Sequence, residues 1–139
     1  MTPEQAERVV ALVEELDAAA ALAGDEQELR ADWRLRLAAE RVVERIFLAA
    51  TDLDAPRAER YFGREGMHRL RGMRNRLAHN YLAVDQSVLW SALSVQVPAV
   101  RAAVGPDLAV ARAVLADATG SEGDPDRWRS THLRPIDPA

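Results

Sequence analysis

An all-α, up-and-down bundle of four main helices, with a short fifth helix and an irregular C-terminal tail, is the fold this 139-residue sequence predicts. Three observations predict it. Apolar residues recur at three- and four-residue spacing over most of the chain, the spacing that lines one face of a helix. Residues that cap helices stand ahead of these periodic runs. No stretch alternates apolar and polar residues over a useful strand length.

The first helix is signposted by Thr2 as N-cap, Pro3 at the first helical position and Gln5 completing a capping box. Val9, Leu12, Val13, Leu16 and Ala20 line one face until Gly24 supplies a stop. Asp25 and Glu28 form a second capping box for a helix expected to run unbroken to about Leu53. Its Leu29, Trp33, Leu37, Val42, Val43, Ile46, Phe47 and Ala50 make a broad apolar surface. The segment DLDAPRAERYFGREG, with a proline and two glycines, predicts a short turn of helix and a connection. A third long helix is expected from near Arg64 to about His79. Asp85 caps a fourth, which Pro98 kinks and Gly105-Pro106 ends; a short fifth covers Asp107 to about Ala118. From Thr119 the chain is rich in Gly, Pro and Asp without periodicity, so residues 1–118 are expected to form the helical domain and 119–139 a tail. Trp128, between two arginines, is the one residue there suited to anchor on a partner.

The chain has no cysteine, which excludes a disulfide framework, a zinc ribbon and a thiol nucleophile. Nothing approaches ~18 consecutive apolar residues, and the opening MTPEQAERVV lacks the layout of a signal peptide, so a cytoplasmic protein is expected. His68, His79 and His132 do not have the spacing of a helical metal site, so any catalysis is expected to be metal-independent, without a cofactor. Arginine supplies every basic residue other than histidine. Between Arg57 and Tyr81 lie seven arginines against Glu59 and Glu65, a local balance of +5, which leaves the rest at −9 within an overall −4. Such a patch on an acidic chain implies a localised anionic partner.

Inside that patch the string RGMRNRLAHNYLAVD sets Arg74, Asn75, His79 and Tyr81 in the arrangement R-N-x3-H-x-Y. The arrangement resembles the signature of the HEPN superfamily, a resemblance that implies RNA cleavage, and the residues can be set against that chemistry: cleaving RNA without a metal needs a group to take the 2′-hydroxyl proton and a cation for the charge developing on the phosphate oxygens. An imidazole suits the first role and a forked, permanently charged guanidinium the second. His79 and Arg74 fit these roles, with Asn75 supporting and Arg71 and Arg76 available for flanking phosphates. On an ideal helix Arg74 and His79 lie about 140° apart, so they share no face; either the helix ends before His79 or the site is composite.

The same string resembles the HEPN superfamily, and in particular the HepT toxins, whose signature is an arginine, a polar neighbour and a histidine four to six residues on. The resemblance covers roughly residues 5 to 115 in helix order. It implies a metal-independent endoribonuclease working as a homodimer, the motifs of two protomers lining one cleft. It implies the toxin half of a type VII toxin–antitoxin pair. It also implies a cognate MNT-type nucleotidyltransferase that silences the toxin by moving AMP onto the motif tyrosine, here Tyr81. An AMP group two residues from His79 would exclude an RNA phosphate by bulk and by charge. A catalytically silent HEPN-type module that docks a nucleotidyltransferase or its substrate is the alternative. The pair Asp52 and Asp54 lacks the strand and Gly-Ser loop of a nucleotidyltransferase metal site and reads as a helix end followed by a cap.

Overall fold

The structure is a computed structural model and describes residues 1–79 and 85–120. Among these residues there is helix and no strand. Helix α1 spans Pro3–Leu22, α2 Glu26–Ala31, α3 Trp33–Asp52, α4 Ala55–His79, α5 Gln86–Ser91 and α6 Val97–Gly120, and a π-helical stretch, Ala92–Gln96, joins the last two without a break. Thr2 and Gln5 cap α1 reciprocally: the Gln5 amide donates to Thr2 Oγ1 at 3.1 Å and the Thr2 amide to Gln5 Oε1 at 2.9 Å. Asp85 caps α5 as its sequence position predicts, accepting from the Ser87 amide at 2.8 Å.

Helix α1 is central, packed chiefly on α6 and α3. Its Val9, Leu12 and Leu16 are essentially without solvent contact and meet Val43 and Ile46 of α3 and Val104 and Leu108 of α6 in one core. Burying each leucine removes enough apolar surface to contribute about 1.5–3 kcal/mol.

Five expectations from sequence are corrected in whole or in part. α1 stops at Leu22, just ahead of Gly24 as expected, but without a left-handed glycine: Gly63 alone among the described residues has positive φ, and α1 ends with the Ala23 amide donating back to the Ala19 and Ala20 carbonyls. The Asp25 side chain accepts from the Gln27 amide at 2.9 Å, one residue short of the anticipated capping box. The expected helix from Asp25 to Leu53 is two helices. Asp32 sits between them in extended conformation (φ −102°, ψ 107°), closing α2 and capping α3 by accepting from the Arg34 amide at 2.9 Å. In DLDAPRAERYFGREG the expected connection shrinks to Leu53 and Asp54 ahead of α4 and a bend at Gly63 (φ 69°, ψ 167°) within it, so that the expected short helix, from Ala55, and the long one, from Arg64, are two halves of α4. Last, Gly105-Pro106 does not end a helix, and the expected fifth helix is the second half of α6.

The two prolines of this run differ for a physical reason. A residue before proline is pushed out of helical conformation by the clash of its Cβ and amide with the pyrrolidine ring. Gly105 has no Cβ, so the helix passes through Pro106, held by burial of Val104, Leu108 and Ala111. Val97 has one, yet stays helical (φ −58°, ψ −49°) before Pro98, and the π winding of Ala92–Gln96 lies immediately upstream, where the carbonyls facing a helical proline are displaced.

The continuous run Gln86–Thr119, with a mean hydropathy of 1.3 over its most apolar window, is by length and composition apolar enough to cross a bilayer. In this fold one stripe of it is spent on the core. Leu89, Leu93, Val97, Val104 and Leu108 are buried, and Arg101 pairs with Asp17 of α1 at 2.9 Å.

The first half of α4 is tied to α6 through Asp107. Arg60 Nη2 lies 2.5 Å from Asp107 Oδ2, the Tyr61 hydroxyl donates to the same oxygen, and Arg57 Nε stands 3.8 Å away. Arg57 also donates to Asp54 at 2.8 Å, and that hydrogen bond holds the Asp54 carboxyl below its ordinary range. Burial, and then the bond to Asp107, push the Tyr61 phenol from 10.0 up to about 12. A raised folded-state value means that the neutral phenol contributes its full stability below about pH 10 and loses it as pH rises through about 12. Tyr61→Phe is therefore expected to lose about 1–2 kcal/mol at neutral pH, as a hydrogen bond to a charged partner disappears. It should also flatten the alkaline fall in stability, read as melting temperature against pH by circular dichroism.

Candidate active site

Gly63 turns the second half of α4 so that the residues from Arg64 to His79 form a separate straight segment. Leu77 is buried and Leu70 and Met73 pack on the core, which fixes the inward face. Arg74 lies at the edge of that face. It is half-buried, its guanidinium carbon stands 5.5 Å from the centre of the Phe47 ring of α3, and Nη1 donates to Asn75 Oδ1 at 3.3 Å. Stacking over an aromatic face attracts a guanidinium without neutralising it, so Arg74 is held in place with its charge available. Arg74 forms no ion pair among the described residues.

Asn75, Arg71, Arg76 and His79 are exposed, and His79 is the last residue of α4. Because α4 is helical through His79, the anticipated angle of about 140° between Arg74 and His79 applies, and the two side chains leave the helix on different faces. Asn75 stands between them in angle and touches Arg74. Tyr81 lies outside the described residues, as does Trp128.

Met73 and Arg76 of α4 face Val88 and Leu89 of α5, with Asp85 before it, over a narrow crevice. A larger cavity of about 510 Å³ opens on the other side of α4, between the bend at Phe62 and Gly63, Leu70 and Met73, and Gln96, Val97 and Val100 beside the π-helical stretch. It takes up none of the predicted catalytic residues. The residue that sequence reasoning assigned to the core and the structure brings to the site is Phe47. No local signal marks it, since its contact with Arg74 joins positions 27 apart in the chain.

The model of the family described as Ribonuclease HepT-like matches residues 11–105, which includes all of α3, α4 and α5. The chain belongs to the ribonuclease HepT-like family. Among curated proteins and among solved structures, nothing matches it. The matched span of this HepT-like chain contains Arg71, Arg74, Asn75, Arg76, His79 and Tyr81, and its all-helical fold is that of a HEPN-like bundle.

Proposed function

We propose that this HepT-like chain is the toxin of a type VII toxin–antitoxin pair, a cytoplasmic, metal-independent endoribonuclease whose site is shared between the two protomers of a homodimer. The observation that carries the reading is the arrangement on α4: Arg74 stacked and charged on one face, His79 free at the helix end on another, Asn75 between them. His79 takes the 2′-hydroxyl proton and O2′ attacks phosphorus. The bond to O5′ breaks, the leaving oxygen gains a proton from water, and a 2′,3′-cyclic phosphate forms. Arg74 of the opposite protomer, with Asn75, binds the phosphate oxygens as their charge grows. The angle between Arg74 and His79 supports a shared site, since neither half meets the other within one protomer.

Exposed apolar side chains on α3 support the dimer. Trp33, Leu37 and Leu48 are 61%, 55% and 52% exposed, and all lie within about 100° of Phe47 around that helix, beside the aromatic that carries Arg74. Isolated exposed leucines need no explanation, but a stripe next to a site is where a second copy gains most by burial. Leu48→Glu is expected to weaken the dimer about tenfold or more in sedimentation equilibrium, and to lower cleavage at protein concentrations where the wild type is dimeric.

Control is assigned to Tyr81. The phenol oxygen attacks the α-phosphate of ATP held by an MNT-type nucleotidyltransferase, pyrophosphate leaves, and the resulting AMP ester sits two residues from His79. Intact mass after co-expression with the nucleotidyltransferase tests this. AMP increments on the wild type that vanish in Tyr81→Phe are expected, and increments that persist would move the acceptor elsewhere. If wild-type protein free of AMP is neither toxic nor able to cut RNA, the chain is instead a silent module that docks the nucleotidyltransferase or its substrate.

A further inference from the structure

The arginines of this protein divide sharply by whether they have a partner. Those on α1, α2 and α3 are paired: Arg8 with Glu4, Arg30 with Glu26, Arg41 with Glu44 and Arg45 with Glu15 at 2.6–3.1 Å, Arg34 with Asp32 at 3.3 Å, and Arg36 with the Arg30 carbonyl. On the bent half of α4 the pattern changes. Arg69 pairs with Glu65 at 3.0 Å, but the side chains of Arg64, Arg71 and Arg76 make neither ion pair nor hydrogen bond among the described residues, and Arg112 is the one other arginine there in that condition. Unpaired cations grouped on one helix are the footprint of an anion that is not part of the chain.

Two of these three, Arg64 and Arg71, stand on one line along the helix, with Arg76 about 60° to its side. At about 100° per residue, Arg64, His68, Arg71, Asn75 and His79 fall within an arc of about 80° on the face opposite Leu70, Met73 and Leu77. All five are exposed. The sole acid on this half of α4, Glu65, lies off the arc with its charge taken by Arg69. The line runs from Arg64 over 15 residue steps, about 22 Å, and ends at His79. A stacked strand at about 3.4 Å per nucleotide would lay about six phosphates along it, and an extended strand fewer.

We infer that this stripe is a binding track for the phosphate backbone of single-stranded RNA, in which Arg64 and His68 hold nucleotides remote from the scissile bond. This rests on the ribonuclease reading and extends it to two residues that the motif does not contain. An acidic protein surface would also meet unpaired cations. RNA is favoured because the line leads into His79 and presents donors along its length, with no exposed apolar residue among them to anchor a protein partner.

Cleavage kinetics of Arg64→Gln and His68→Gln in the otherwise intact protein test the track, on fluorescein-labelled oligoribonucleotides of two lengths, one of twelve nucleotides and one of two. On the longer substrate each variant should raise KM about threefold to tenfold with kcat unchanged. The Arg64→Gln change should also reduce the salt slope of binding by about 0.7. On the dinucleotide, which cannot reach either residue, both variants should match the wild type. That length dependence separates a binding role from damage to the fold. If the wild type cuts RNA but both variants keep its KM and salt slope on the longer substrate, the track is overturned and the ribonuclease reading stands. If they alter the dimer equilibrium in sedimentation and leave KM alone, the stripe is a protein contact and the track is likewise overturned. A wild type that neither binds nor cuts RNA overturns the ribonuclease reading itself.

Discussion

Arg74→Ala and His79→Ala should each lower RNA cleavage by about 10²–10⁴-fold, the range typical of a lost general base or a lost donor to developing charge. His79 is exposed at a helix end, so its removal should leave melting temperature within a degree or two. Arg74→Ala gives up its stacking on Phe47 and should cost about 0.5–1 kcal/mol. The informative step is to mix the two inactive proteins. If each site takes its arginine from one protomer and its histidine from the other, a mixed dimer has one site lacking both groups and one with both intact. Random exchange makes about half the dimers mixed, so about a quarter of wild-type activity should return. If arginine and histidine act within one protomer, every site in the mixture lacks one of them and nothing returns. The measurement is a single rate assay after incubation long enough for exchange, with either homodimer alone as the baseline.

The second large effect is expected at Gly63. Its backbone (φ 69°, ψ 167°) lies in a region that side-chain-bearing residues essentially never occupy, at a cost of about 1–3 kcal/mol. A Cβ there would meet nothing within 4 Å, so Gly63→Ala tests the dihedral alone. The variant either holds the bend and loses that stability, or relaxes toward a continuous helix. Because Asp107 fixes the first half of α4, relaxation must swing the second half, carrying Arg74 away from Phe47. Both outcomes lower melting temperature by several degrees, and relaxation in addition removes cleavage. Gly72→Ala is the matched control. Gly72 is helical, a Cβ there also meets nothing, and the substitution should stabilise by up to about 1 kcal/mol.

These two predictions also mark where the sequence was legible. Capping at Thr2 and Asp85, the apolar face of α1 and the helix from Arg64 to His79 were readable because each depends on residues within a turn or two of one another. Asp32 was missed because Leu29, Trp33 and Leu37 keep helical spacing across it, so periodicity concealed a break that one aspartate makes with its own side chain. Pro106 misled because a proline ordinarily stops a helix, whereas burial on α1 and a preceding glycine keep this one going. At the site, the angle between Arg74 and His79 followed from counting residues. The Phe47 contact and the hold of Asp107 on Tyr61 did not, since both join positions far apart in the chain and depend on how α4 bends.

The π-helical stretch has a consequence for how this chain tolerates change in length. Leu89, Leu93 and Val97 are buried at successive intervals of four residues, and in α geometry each such interval overshoots a full turn by about 40°. Wider winding through Ala92–Gln96 takes that excess back and keeps the three side chains on one line. The stretch thus works as a phase corrector between two α-helical rods. Removing one residue from it would turn Leu89 by about 100° relative to Leu108, and with it the wall that Val88 and Leu89 present to Arg76 of α4. Substitutions within Ala92–Gln96 that keep its length should be absorbed, whereas a single deletion there should misalign the motif helix from the far side of the bundle.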